Sequence, residues 1–95
     1  MRLTEELVDS MMERIQDNLS MYQEEGDFDI NYIESTLRDL DGGFQEIEVK
    51  INYRPSGESD SKTTIYYKSV YEDNISDLES VVFDDIMAIV CPEED

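Results

Sequence analysis

Asp27, Asp29 and Asn31 place side-chain oxygens at alternate positions, the way a calcium-binding EF-hand loop begins. Such a loop then needs Gly where Tyr32 stands and a bidentate Glu where Arg38 stands. Two failures of the pattern argue against a calcium site. Glu24-Glu25 and Asp84-Asp85 are paired carboxylates, the residue type of general acid–base catalysis. Catalytic pairs must converge in a dry pocket that drives their pKa values apart, whereas neighbours on a helix diverge. Cys91 has no basic neighbour in the sequence to stabilise a thiolate, so it reads as a bystander rather than a nucleophile. A single cysteine excludes an intrachain disulfide, and with no histidine the chain lacks the usual ligands for zinc, haem or iron–sulfur centres. The expectation is a protein that is not an enzyme and holds no metal or cofactor.

The carboxylates that do share a face are Glu6, Asp9, Glu13 and Asp17, spaced three or four residues apart. On a helix such neighbours sit about 5–6 Å apart along the axis, a scale similar to that of successive phosphates on a DNA strand. Stacking like charges costs tenths of a kcal/mol per pair. The whole chain repeats the imbalance: 7 Lys and Arg against 25 Asp and Glu in 95 residues, a formal charge of −18. Residues 1–29 hold two bases and nine acids, 30–70 five bases and seven acids, and 71–95 no base and nine acids. The middle is nearly balanced and both ends are strongly negative. Direct binding to DNA, RNA or an anionic membrane is therefore disfavoured, because each phosphate contact needs a cation. The expected partner is a basic protein.

The opening Met1-Arg2-Leu3-Thr4-Glu5-Glu6 is charged, unlike a secretory signal. No stretch approaches the ~18 apolar residues of a membrane span. Pro92 after Cys91 departs from a prenylation box. The chain reads as one cytoplasmic domain over 1–95, with 91–95 a frayed tail.

These charges must be positioned by elements, and hydrophobic period shows which. Leu7, Met11, Ile15 and Leu19, widened by Val8, Met12 and Tyr22, predict a helix over 5–25, with Thr4 as N-cap and Gly26 as its stop. Residues 30–41 have helical apolar spacing, but Asp41-Gly42-Gly43 is a hairpin signal. Closing that hairpin with Leu40 opposite Phe44 puts Leu37 opposite Ile47 and Ile33 opposite Ile51. It also puts Arg38 opposite Glu46 and Glu34 opposite Lys50. Two apolar and two opposite-charge pairs fall into register together, which a helix would not explain. Alternation predicts a strand over 44–54, and β-branched and aromatic residues predict another over 62–71. Pairing Ile51 with Ile65, Val49 with Tyr67 and Glu48 with Lys68 extends the hairpin to a three-stranded meander. Ser76-Asp77-Leu78-Glu79 is a capping-box pattern that opens a helix over 77–90.

The fold class is therefore α+β: a two-layer sandwich of helix, three-stranded antiparallel meander and helix. Both helices cover the face expected to carry Ile33, Leu37, Ile47, Val49, Ile51, Ile65 and Tyr67. Glu34, Arg38, Glu46, Glu48, Lys50, Thr64, Tyr66 and Lys68 are expected on the open face. On that face Tyr66 is a candidate partner contact. The last helix is apolar over more than half its circumference, which suggests a homodimer or apolar contact through Phe83, Met87 and Val90.

The element order is similar to that of double-stranded-RNA-binding domains. Those rely on basic residues at the second helix, where this chain has Asp77, Glu79, Asp84 and Asp85, so their function does not carry over. The order together with the acidity also resembles small phage inhibitors that imitate nucleic acid, including certain anti-CRISPR proteins. The leading expectation is an acidic inhibitor whose carboxylates occupy the phosphate sites of a nuclease, CRISPR effector or DNA-binding protein. Glu6, Asp9, Glu13, Asp17, Asp73, Asp77 and Asp84 are its expected contacts. The alternative is an accessory or immunity-type domain that binds through an apolar surface around Phe83, Met87 and Tyr66, with acidity serving solubility.

Overall fold

The chain folds in the order α1 (Glu5–Ser20), α2 (Gln23–Gly26), β1 (Asp29–Asp39), a 3-10 turn (Asp41–Gly43), β2 (Gln45–Arg54), β3 (Lys62–Val70) and α3 (Ile75–Val90). The structure is a computed structural model that describes residues 3–71 and 75–92. The sheet is antiparallel with strand order β1-β2-β3, and the helices form the second layer. This is the α+β sandwich expected from the periodicities.

Each element has a local cause. Thr4 is extended, and its hydroxyl accepts the Leu7 amide at 3.3 Å, capping α1. Leu3 and Val8, the positions of a hydrophobic staple, are both buried. Gln45, at the base of β2, is 4% exposed yet fully employed. Its Oε1 accepts the Leu3 amide at 2.8 Å, and its Nε2 donates to the Leu3 carbonyl and to Asp39 Oδ1, each at 3.0 Å. A satisfied buried amide thus ties the start of α1 to the hairpin.

The first helix is shorter than its apolar stripe suggests. It breaks at Met21 and Tyr22, where Tyr22 turns its ring toward Phe83 of α3 at a centroid distance of 6.1 Å. Gly26 ends α2 as expected, but the left-handed residue is Asp27, with φ 53°. Gly26 serves close approach instead: a Cβ there would lie 2.7 Å from the buried Phe28 ring. At the hairpin, Gly42 and Gly43 have φ of 77° and 83°, a conformation that strains any residue with a Cβ. The Leu40 amide donates to the Phe44 carbonyl at 2.8 Å and closes the turn.

The β1–β2 register matches expectation pair by pair: Leu37 with Ile47, Ile33 with Ile51, Arg38 with Glu46 and Glu34 with Lys50. The β2–β3 register does not. Ile51 pairs with Thr64, Val49 with Tyr66 and Glu48 with Tyr67, one residue away from the expected partners. A one-residue slip exchanges the faces of a strand. Thr64, Tyr66, Lys68 and Val70 therefore lie on the helix-covered side, and Ile65 and Tyr67 are on the open face, 50% and 53% exposed.

The connecting segment 55–61 accounts for the slip. Pro55 is fully buried, the Ser56 amide donates to the Val90 carbonyl at 2.9 Å, and the Gly57 amide donates to the Asp27 carbonyl at 3.2 Å. These anchors fix where the chain re-enters the sheet, so that Lys62 meets Tyr53.

The core fills the space between β2 and the two long helices. Val8, Met11, Met12, Ile15 and Leu19 from α1 join Phe28, then Ile47, Val49, Ile51 and Tyr53 from β2, and Leu78, Val82, Ile86 and Val90 from α3. Each fully buried aliphatic side chain contributes roughly 1.5–3 kcal/mol against exposure. Val90 is wholly inside, and Phe83 and Met87 pack partly against this core. The expected surface contact through Val90 is thus corrected: the apolar arc of α3 is largely spent within the chain.

Candidate recognition surface

Glu6, Asp9, Glu13 and Asp17 are all exposed on α1, and Asp77 and Asp84 are exposed on α3. At about 100° per residue, Glu6 points directly away from the stripe of Val8, Met11, Ile15 and Leu19, while Glu13 and Asp17, also exposed, border the groove beside β1. Asp9 leans toward β1, with which it lines a groove. Asp73 lies outside the described residues. Asp77 shares a shallow surface cavity with Lys68 of β3, so it is less isolated from cations than the α1 acids.

Across the described helical segments, 3–26 and 75–92, Arg14 is the only basic residue. Its guanidinium lies 2.7 Å from Glu79 and bridges α1 to α3. The sheet handles its charges differently. Arg38 lies 3.0 Å from Glu48 and 3.7 Å from Glu46 on the open face. Lys50 stands between Glu34 and Ile65 in the register. Cross-strand pairing offsets charge within the sheet, whereas the helical layer shows uncompensated carboxylate to solvent.

The EF-hand-like start has another role. Asp29 lies 2.8 Å from Arg54 Nε, and Asp27 lies 3.3 Å from Arg54 Nη2. The hydrogen bond that Arg54 donates to Asp29, outweighing desolvation, raises the Arg54 pKa. These acids clamp the α2–β1 corner to β2. Among the described residues there is no cluster of three or more His, Cys, Asp or Glu able to hold a metal.

Tyr66 is not an open-face contact. It is half-buried under α3, and its hydroxyl donates to the Asp85 carboxylate. Desolvation first, then that hydrogen bond, raises its pKa. On β3 the open-face tyrosine is Tyr67, whose pKa is raised chiefly by a hydrogen bond to Glu48.

One feature was not anticipated from the sequence. Three contiguous cavities of about 180, 410 and 220 Å³ run along the seam between α1 and β1. Asp9 and Ser35 line the first two, and Gln16 lines the last two. The available signal was topological: the first strand of a meander is necessarily an edge.

No family model matches this sequence, and neither does any curated protein or solved structure. Among the described residues, no helix is long and apolar enough to cross a membrane.

Proposed function

We propose that the chain is a small acidic inhibitor that imitates nucleic acid and occupies the basic nucleic-acid site of a partner protein. The observation that carries this reading is the asymmetry of the helical layer. Glu6, Asp9, Glu13, Asp17, Asp77 and Asp84 are exposed there, and the one described cation, Arg14, is held by Glu79. A one-signed surface focuses its field and steers an oppositely charged partner, with a strength that falls as salt rises. A nuclease, a CRISPR effector or a DNA-binding protein presents the complementary cationic site. The apolar-surface alternative has less support, because Phe83 and Met87 pack partly against the core and Tyr66 is turned toward Asp85.

The test is capture on the immobilised chain at low salt, followed by elution with double-stranded DNA. Bound proteins that bind nucleic acid and are released by DNA support the reading. Partners that DNA cannot displace contradict it.

A further inference from the structure

The two edges of the sheet are finished differently. On the helix-covered side β3 presents Thr64, Tyr66 and Lys68, polar or hydrogen-bonded groups suited to a wet margin, and only at its end the buried Val70. On the same side β1 presents Ile33, Ser35 and Leu37. Their partners on β2, Ile51, Val49 and Ile47, are 0% exposed, but Ile33, Ser35 and Leu37 are only half-buried. β1 is paired on one side, to β2. Alternate backbone N–H and C=O groups of an edge strand point away from the sheet and offer a template for another strand. The α1–β1 groove runs along this edge, with a mainly polar lining in which Ile30, Ile33 and Leu37 are the half-buried apolar members.

The rim sets the chemistry of the occupant. Glu5, Asp9, Glu13 and Asp17 recur every fourth residue and all line the groove. Successive members are about 6 Å apart along the helix. Alternate residues of an extended strand are about 6.6 Å apart. A strand laid beside β1 thus meets one carboxylate of α1 with every second side chain. Lys and Arg suit those positions because their aliphatic stems can cover Ile33 and Leu37 while the charged heads reach the rim. A second copy is a poor occupant, since pairing β1 with itself brings Asp29, Glu34 and the α1 acids of both copies together.

We infer that the α1–β1 groove takes an extended basic segment of the partner, with Lys or Arg at alternate positions, as a fourth strand beside β1. This inference rests on the acidic-inhibitor reading and specifies the shape of what that surface binds.

The probe is an acetylated nine-residue peptide with lysine at alternate positions and threonine between them. It is compared with two isomers of identical charge, each N-methylated on a different alternate set of backbone nitrogens. Fluorescence anisotropy gives the affinities, and amide hydrogen exchange reports on β1. The parent peptide and one methylated isomer are expected to bind alike. The other isomer is expected to bind about tenfold more weakly, as lost backbone hydrogen bonds require. Bound peptide should slow exchange at β1 amides, and the paired substitutions Asp9→Lys and Glu13→Lys, both exposed, should abolish binding. Equal affinity of both isomers, or unchanged β1 exchange, overturns the fourth-strand arrangement while leaving the acidic-inhibitor reading to its own DNA-displacement test. Self-association of the chain through β1 at low salt also overturns it.

Discussion

The hydroxyl of Tyr66 on β3 donates a hydrogen bond to the carboxylate of Asp85 on α3. The bond is available only in the observed register, in which Tyr66 shares the covered side with Val49. It therefore links strand pairing to helix docking. Tyr66→Phe should cost about 1.5 kcal/mol at neutral pH, the size of a hydrogen bond to a charged acceptor. The folded-state pKa of Tyr66 is raised, so this stabilisation is fully present below the unfolded value of 10.0 and is lost as pH rises above it. Urea denaturation of both proteins across pH 7–11 should show the stability gap narrowing at the alkaline end. A gap that widens there would contradict the assignment.

The register also predicts a contrast between two isoleucines. Ile51 is 0% exposed, and Ile65 is 50% exposed on the opposite face. Ile51→Ala should destabilise by about 2–5 kcal/mol. Ile65→Ala should change stability by less than about 1 kcal/mol, within the range of surface substitutions. Chemical denaturation of the two variants checks this, and comparable losses would favour the register that pairs them.

Gly26→Ala should be costly although the residue is not in a left-handed conformation. The new methyl would sit 2.7 Å from Phe28, whose ring is fully buried and has little room to retreat. A loss of about 1–3 kcal/mol is expected, as for other overpacked sites. Thermal unfolding measures it, and Phe28→Leu in the same background should recover part of the loss.

Mutual repulsion among the carboxylates should make salt stabilising. With a formal charge of −18 and one described cation in the helical layer, added salt screens more repulsion than attraction. The melting temperature should rise by several degrees between about 10 mM and 500 mM sodium chloride, where the Debye length contracts from ~30 Å to under ~5 Å. A melting temperature that falls would mean that the ion pairs of Arg14, Arg38 and Arg54 dominate.

The β1–β2 hairpin was legible because two independent signals agreed on one register. The pairs Leu37–Ile47 and Ile33–Ile51 alternate with Arg38–Glu46 and Glu34–Lys50, and the Gly42-Gly43 turn closes only there. For β3 the sequence offered a similar but misleading match, Ile51 with Ile65 and Glu48 with Lys68. The deciding contacts lie elsewhere: Ser56 on the end of α3, Gly57 on Asp27, and Tyr66 on Asp85. Long-range anchors of this kind leave no trace in a comparison of two strands.

Among the candidate site residues, the α1 acids were legible from spacing because the buried stripe opposite them is regular. The placements of Tyr66 and Val90 were not. The first followed the β3 register, and the second depended on how far the helices wrap the core.

The most direct test neutralises charge in two places by equal amounts. One variant carries Glu6→Gln, Asp9→Asn, Glu13→Gln and Asp17→Asn on α1. The other carries Asp41→Asn, Glu46→Gln, Glu58→Gln and Asp60→Asn on the sheet side. Dissociation constants for a captured DNA-displaceable partner are then measured at low and high salt. The α1 variant should lose at least about tenfold in affinity and much of its salt dependence, and the sheet variant should stay near the parent. Equal losses in the two variants would mean that bulk charge, rather than the helical layer, governs binding.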